Sequence, residues 1–88
     1  MNAVFIKGYF CGYYPSEERI LVSMEEDRKH FLPLYINDEQ IRADVLAYKN
    51  GDIVSIEATF LPSKVTKAYG MFVKTITLIR KGDINNGD

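Results

Sequence analysis

Between Asn37 and Ala58 the hydrophobic pattern changes period, and that change restricts the fold more than any other feature of the chain. Asn37 stands where a helix cap belongs and Gln40 can reach back to it, while Ile41, Val45 and Tyr48 share one helical face. Lys49-Asn50-Gly51-Asp52 follows, with Gly51 as the left-handed residue that stops such a helix. From Ile53 the alternation is strict: Val54, Ile56 and Ala58 fall on one side, Ser55, Glu57 and Thr59 on the other. One short helix set between strands of an otherwise all-β chain of 88 residues is the plan of a small five-stranded Greek-key barrel.

The rest of the chain reads in that frame. Ala3–Phe10 predicts the first strand, with Val4, Ile6, Gly8 and Phe10 on one face and Phe5, Lys7 and Tyr9 on the other. Cys11 to Ser16 reads as a loop, Arg19–Glu25 as the second strand and Glu26 to Lys29 as a charged turn. Phe31–Ile36 predicts the third strand, with Leu32, Leu34 and Ile36 inward and Phe31, Pro33 and Tyr35 outward. The helix precedes the fourth strand, Pro62–Ala68 makes a polar hairpin loop, and Tyr69–Arg80, rich in β-branched residues, is the fifth strand. The expected organisation is one domain over residues 1–81 and a disordered tail over 82–88.

A chain this short hides only about 60–65% of its extended surface on folding, so it supports a single core and gains from association. Its apolar residues are spread evenly, which excludes a disordered chain, and no run approaches the roughly 20 apolar residues of a membrane span. The opening residues lack the basic-then-apolar layout of a signal peptide, so the expected location is the cytoplasm. Cys11 is the only cysteine, which excludes a disulfide framework and a thiolate metal cluster. His30 has no cysteine or carboxylate at ligand spacing, Cys11 has no nearby base, and no glycine-rich phosphate loop exists. Neither an enzyme nor a cofactor or metal site is expected.

The net charge of −1 argues against a polyanionic ligand, but its distribution argues for one. Residues 1–15 carry only Lys7, and residues 60–81 carry Lys64, Lys67, Lys74, Arg80 and Lys81 with no acid. First and last strands lie close together in closed barrels, so one side is expected to be basic; a plain solvated lysine face is the alternative.

Four stretches in this order resemble a known family. Met1 to Phe10 is similar to the first strand of bacterial single-stranded DNA-binding proteins, which follows an Asn-x-Val-x-Leu-x-Gly-x-Leu pattern. Phe31 to Ile36 resembles their third strand, Tyr48 to Ala58 their helix exit and fourth strand, and Ile76 to Ile79 their last strand. The likeness spans about Met1 to Lys81. Ala58 replaces the family's glycine, the connection between first and third strands is shorter, and the tryptophans on which many members stack bases are absent. No long linker with an acidic tip follows, so the resemblance implies a tailless, barrel-only member, similar also to the primosomal replication protein of the same superfamily.

The resemblance implies an OB-fold and binding of single-stranded DNA, with RNA as the alternative, at little sequence preference. Bases would stack on outward rings and lysines would follow the phosphates. Phe31 stands where the family often places a stacking aromatic, with Tyr35 on the same face; Lys7, Tyr9, Lys64, Lys67, Tyr69 and Lys74 complete the expected site. Phe5 and Tyr9 have a second reading as the contact of a homodimer or homotetramer, since first-strand pairing is common in the family. Tyr13, Tyr14 and Tyr35 have one as half-buried rim residues. At the level of function, the alternative is a protein-interaction module, such as a helicase or primosome accessory subunit that meets replication proteins.

Overall fold

Strand β1 runs over Ala3–Tyr14, farther than the sequence predicts, in a computed structural model that describes residues 2–63 and 67–82. Cys11 to Ser16 is therefore not a loop. The strand continues to Tyr14 and ends in a 3-10 turn, Pro15–Glu17. The alternation fails there because the β1–β2 register shifts between Phe10 and Tyr13, which leaves Phe10 and Cys11 both buried. Gly12, at φ +124°, supplies a backbone angle that side-chain-bearing residues rarely adopt at the bulge. A bulged strand bends, and β1 uses the bend to pass from its partner β4 to its partner β2.

Strand β2 covers Arg19–Ser23 and β3 covers Leu32–Tyr35, each shorter than its sequence pattern. Ser23 ends β2 because its hydroxyl turns to accept the Glu25 N–H (3.2 Å). Helix α1 spans Glu39–Val45. Its cap is Asp38, not Asn37: Oδ1 of Asp38 accepts the Gln40 N–H at 3.1 Å, and the Gln40 side chain points forward to Asp44. Gly51 does not stop the helix either, for Leu46 keeps a right-handed conformation at its end. The left-handed φ of Gly51, +99°, serves the separate turn that leads into β4, Ile53–Pro62. Strand β5 covers Tyr69–Arg80, as the sequence predicts.

The strands close into a barrel in the order β1-β2-β3-β5-β4. All pairs are antiparallel except β3 with β5, which run parallel where Tyr35 faces Phe72. This is the all-β, five-stranded Greek-key OB-fold, with one short helix between β3 and β4. Val54, Ile56 and Ala58 of β4 point inward as their alternation predicts, against Phe10, Ile20, Val22, Leu34, Ile36, Val73 and Ile76. Helix α1 contributes Ile41 and Val45 to this core, and Tyr48 packs edge-on against Phe10 with ring centres 5.7 Å apart.

Asp52 ties the ends of three elements together. It is buried; Oδ2 accepts the Lys49 N–H (2.9 Å) and Oδ1 the Gly82 N–H (2.8 Å). Its backbone carbonyl accepts the Phe10 N–H (2.7 Å). Only glycine fits at 82, since a Cβ there would stand 2.7 Å from the Gly51 carbonyl carbon. The rest of the expected tail, 83–88, lies outside the described residues.

Candidate nucleic-acid interface

The outward face of β2 and β3 is built by cross-strand register. Tyr14 lies opposite Arg19, Arg19 opposite Tyr35, and Leu21 opposite Pro33. Phe31 leads into β3 with its ring 52% exposed. It shares a cleft of about 470 Å³ with Tyr14, Leu21, Cys11, Asp27, Arg28 and Asn50. At the far end of β3, Tyr35 is half-buried and tilted against Phe72, ring centres 5.7 Å apart. A Cβ on Gly70 would stand 3.3 Å from the Tyr35 ring, so the missing side chain lets that ring lie on the β5 backbone. Phe31 and Tyr35 thus lie on one surface, but only Phe31 presents a largely open ring.

Tyr9 belongs to the next depression. Its ring is half-buried and capped by the Arg28 guanidinium, 5.6 Å from the ring centre. Around it a cavity of about 650 Å³ is lined by Glu26, Asn50, Gly51, Ile53, Arg80, Lys81 and Gly82. Lys7 is exposed one step along β1, opposite Ser55. Tyr69, 70% exposed, opens β5 opposite Pro62, and Lys67 lies exposed in the hairpin before it. A Ser63 N–H bond to the Ala68 carbonyl (2.8 Å) closes that hairpin, whose Lys64 lies outside the described residues. Lys74 is set apart on the β4–β5 side, 3.7 Å from the Glu57 carboxylate. Phe5, 76% exposed, is also on that side, opposite Glu57.

Four residues of this surface lie outside the sequence-based selection. Arg28 reads as one charge of a solvated turn, yet it folds back over Tyr9. Arg80 and Lys81 stand at a strand end, where only the acid-free stretch 60–81 marked them. Phe72 meets Tyr35 across the one parallel pairing, a contact no local pattern announces.

Titratable groups elsewhere have structural partners. His30 donates its backbone N–H to Glu25 (3.1 Å), and its Nδ1 lies 2.9 Å from the same carboxylate, closing the β2–β3 loop. The hydrogen bond to His30 holds the Glu25 carboxyl below its usual range. Burial pushes the Cys11 thiol up, away from a reactive thiolate. Among the described residues no three His, Cys, Asp or Glu side chains are grouped to hold a metal ion, and no helix is long and apolar enough to cross a membrane.

No family model matches the sequence, and no curated protein does. Solved structures do. OBody NL8 bound to hen egg-white lysozyme matches with a TM-score of 0.67 and 16% identity, covering 93% of this chain and 98% of that one. The mitochondrial single-stranded DNA-binding protein Rim1 of S. cerevisiae matches in one crystal form with a TM-score of 0.65 and 14% identity, over 93% of this chain and 97% of that one. A second form gives 0.62 and 19%, over 92% and 96%. The likeness is one of fold.

Proposed function

We propose that the protein binds single-stranded nucleic acid, DNA before RNA, with little sequence preference, across the β2–β3 face. The observation that carries this reading is the cleft in which the open rings of Phe31 and Tyr14 stand beside Arg28. Every base has a π-face, so such rings bind strands of any sequence, while cations hold the phosphates. Phe31, Tyr35 and Tyr69 supply the stacking surfaces, and Lys7, Lys64 and Lys67 follow the backbone. Lys74, held by Glu57, contributes least. Rim1, a single-stranded DNA-binding protein of the same fold, supports the reading. The action is binding and not catalysis, in the cytoplasm, during replication, repair or transfer of a mobile element. Similarity of the first, third and fourth strands to bacterial single-stranded DNA-binding proteins favours these settings.

A second reading, a protein-interaction module that meets replication proteins, is favoured by the bare Phe5 ring. OBody NL8, of the same fold, is bound to a protein, lysozyme. A fluorescence titration with a fluorescein-labelled dT oligomer separates the two. The single-strand reading expects saturable binding that weakens with salt, with a log–log slope of about −2 for three phosphate contacts. No binding at low salt overturns it in favour of the protein partner.

A further inference from the structure

The two depressions of the candidate interface meet at Arg28 and Asn50, which line both. One is aromatic, with the rings of Tyr14 and Phe31 beside Leu21 and the carboxylate of Asp27. The other is basic: among the described residues that line it, Arg28, Arg80 and Lys81 face a single carboxylate, Glu26. Among the described residues none of these three cations makes an ion pair, in contrast to Arg19, Arg42 and Lys74, which do. The basic cavity, about 650 Å³, has the volume of an ordinary small-ligand site and is large enough for a nucleotide.

Arg28 is held where the depressions join. Its backbone N–H donates to the Glu25 carbonyl (3.0 Å), and its guanidinium spans from the Tyr9 ring to Gly51, where a Cβ would stand 3.4 Å from Nη1. The turn beneath it is fixed in turn by the bonds of Glu25 to His30. One face of the guanidinium is therefore backed by an aromatic ring, and among the described residues its donors make no ion pair. Such a group binds a phosphate by its fork and a base by its plane.

We propose that the strand runs from the aromatic cleft over Arg28 into the basic cavity. Arg28 takes the phosphate between two nucleotides, and Arg80 and Lys81 hold the next one. This rests on the single-strand reading above and adds to it a path and a second seat. The path adds cations from the β2–β3 loop and the end of β5 to the lysines that follow the backbone. Glu26 at the rim keeps the cavity from being a general anion trap and favours an occupant that brings base donors along with its phosphate.

The test is fluorescence anisotropy with a fluorescein-labelled dT oligomer of about 12 nucleotides, within the site size of one OB barrel. Arg80→Gln/Lys81→Gln is expected to weaken binding several-fold and to flatten the log–log salt slope by about 0.7, the share of one phosphate contact on a single strand. Arg28→Gln is expected to weaken binding with a flatter slope, and Arg28→Lys to recover the slope but not the full affinity, because an ammonium cannot stack. Phe31→Ala is expected to weaken binding with the slope unchanged. Arg28, Phe31, Arg80 and Lys81 are exposed, so unchanged thermal melts are expected throughout. Should the Arg28 and Arg80/Lys81 variants bind like the wild type at an unchanged slope while Phe31→Ala still binds more weakly, the path is overturned and the single-strand reading stands. Should the wild type bind no strand, both fall together.

Discussion

Phe31, just before β3, and Tyr35, at its end, share the outward phase, yet the barrel treats them differently. Tyr35 meets Phe72 and lies over Gly70, so its ring is fixed from below and offers one surface. Phe31 stands free at the strand's start. The phase of both was legible in the sequence, because Leu32, Leu34 and Ile36 alternate with them; how far each ring is covered was not, since the covering residues come from β5. Under the proposed function, Phe31→Ala costs about 1–3 kcal/mol of affinity for a single strand, the worth of one base stack. An exposed ring leaves no core cavity when it is removed, so the thermal midpoint of the variant stays at the wild-type value. Parallel titration and melting check this; a variant that unfolds would place Phe31 in the core.

At the scale of elements, strands with unbroken alternation were read correctly and junctions were not. β4 matches its pattern because period two persists where one face is buried, while β5 keeps its predicted bounds through a bulge that leaves Val73 and Ile76, three residues apart, both buried. The prolongation of β1 was hidden by its bulge, where Phe10 and Cys11 are both buried and mimic the loss of pattern at a loop. The cap moved by one residue because neighbouring Asn37 and Asp38 are equally good caps, and the chain's path from β3 decides between them. Asp52 is the hardest case. It reads as a turn residue, but its buried carboxylate joins the helix exit to the end of β5 at Gly82. Asp52→Ala leaves the Lys49 and Gly82 N–H groups without that acceptor, at about 1–3 kcal/mol for each donor left buried and unsatisfied. A urea melt should show the midpoint lowered with the slope kept, and an unchanged midpoint would mean that water replaces the carboxylate at little cost.

For the molecule as a whole, the barrel is closed but one stretch of strand edge has no partner strand among the described residues. β1 pairs with β4 from Ala3 to Tyr9, but β2 joins its other edge only from Tyr9 onward. Among the described residues, the second edge of Ala3–Lys7 therefore carries no strand. An unpaired edge beside a bare Phe5 ring invites a copy of the same strand, and two-fold symmetry lets both copies satisfy each other at once. A small barrel gains from this, because its own core hides a modest share of its surface. We propose a homodimer or homotetramer joined through this edge, with Phe5 at the contact. Tyr9 lies where β2 takes over the edge and under Arg28, which favours its role in the cleft over one in the contact. Phe5→Lys tests this without threatening the fold, since Glu57 lies directly across the strand pair and accepts the new charge. Sedimentation equilibrium at micromolar concentration should give an oligomeric mass for the wild type and a monomeric mass for Phe5→Lys. A monomeric wild type would refute the assembly and return Phe5, with its open ring, to the surfaces on which a base can stack.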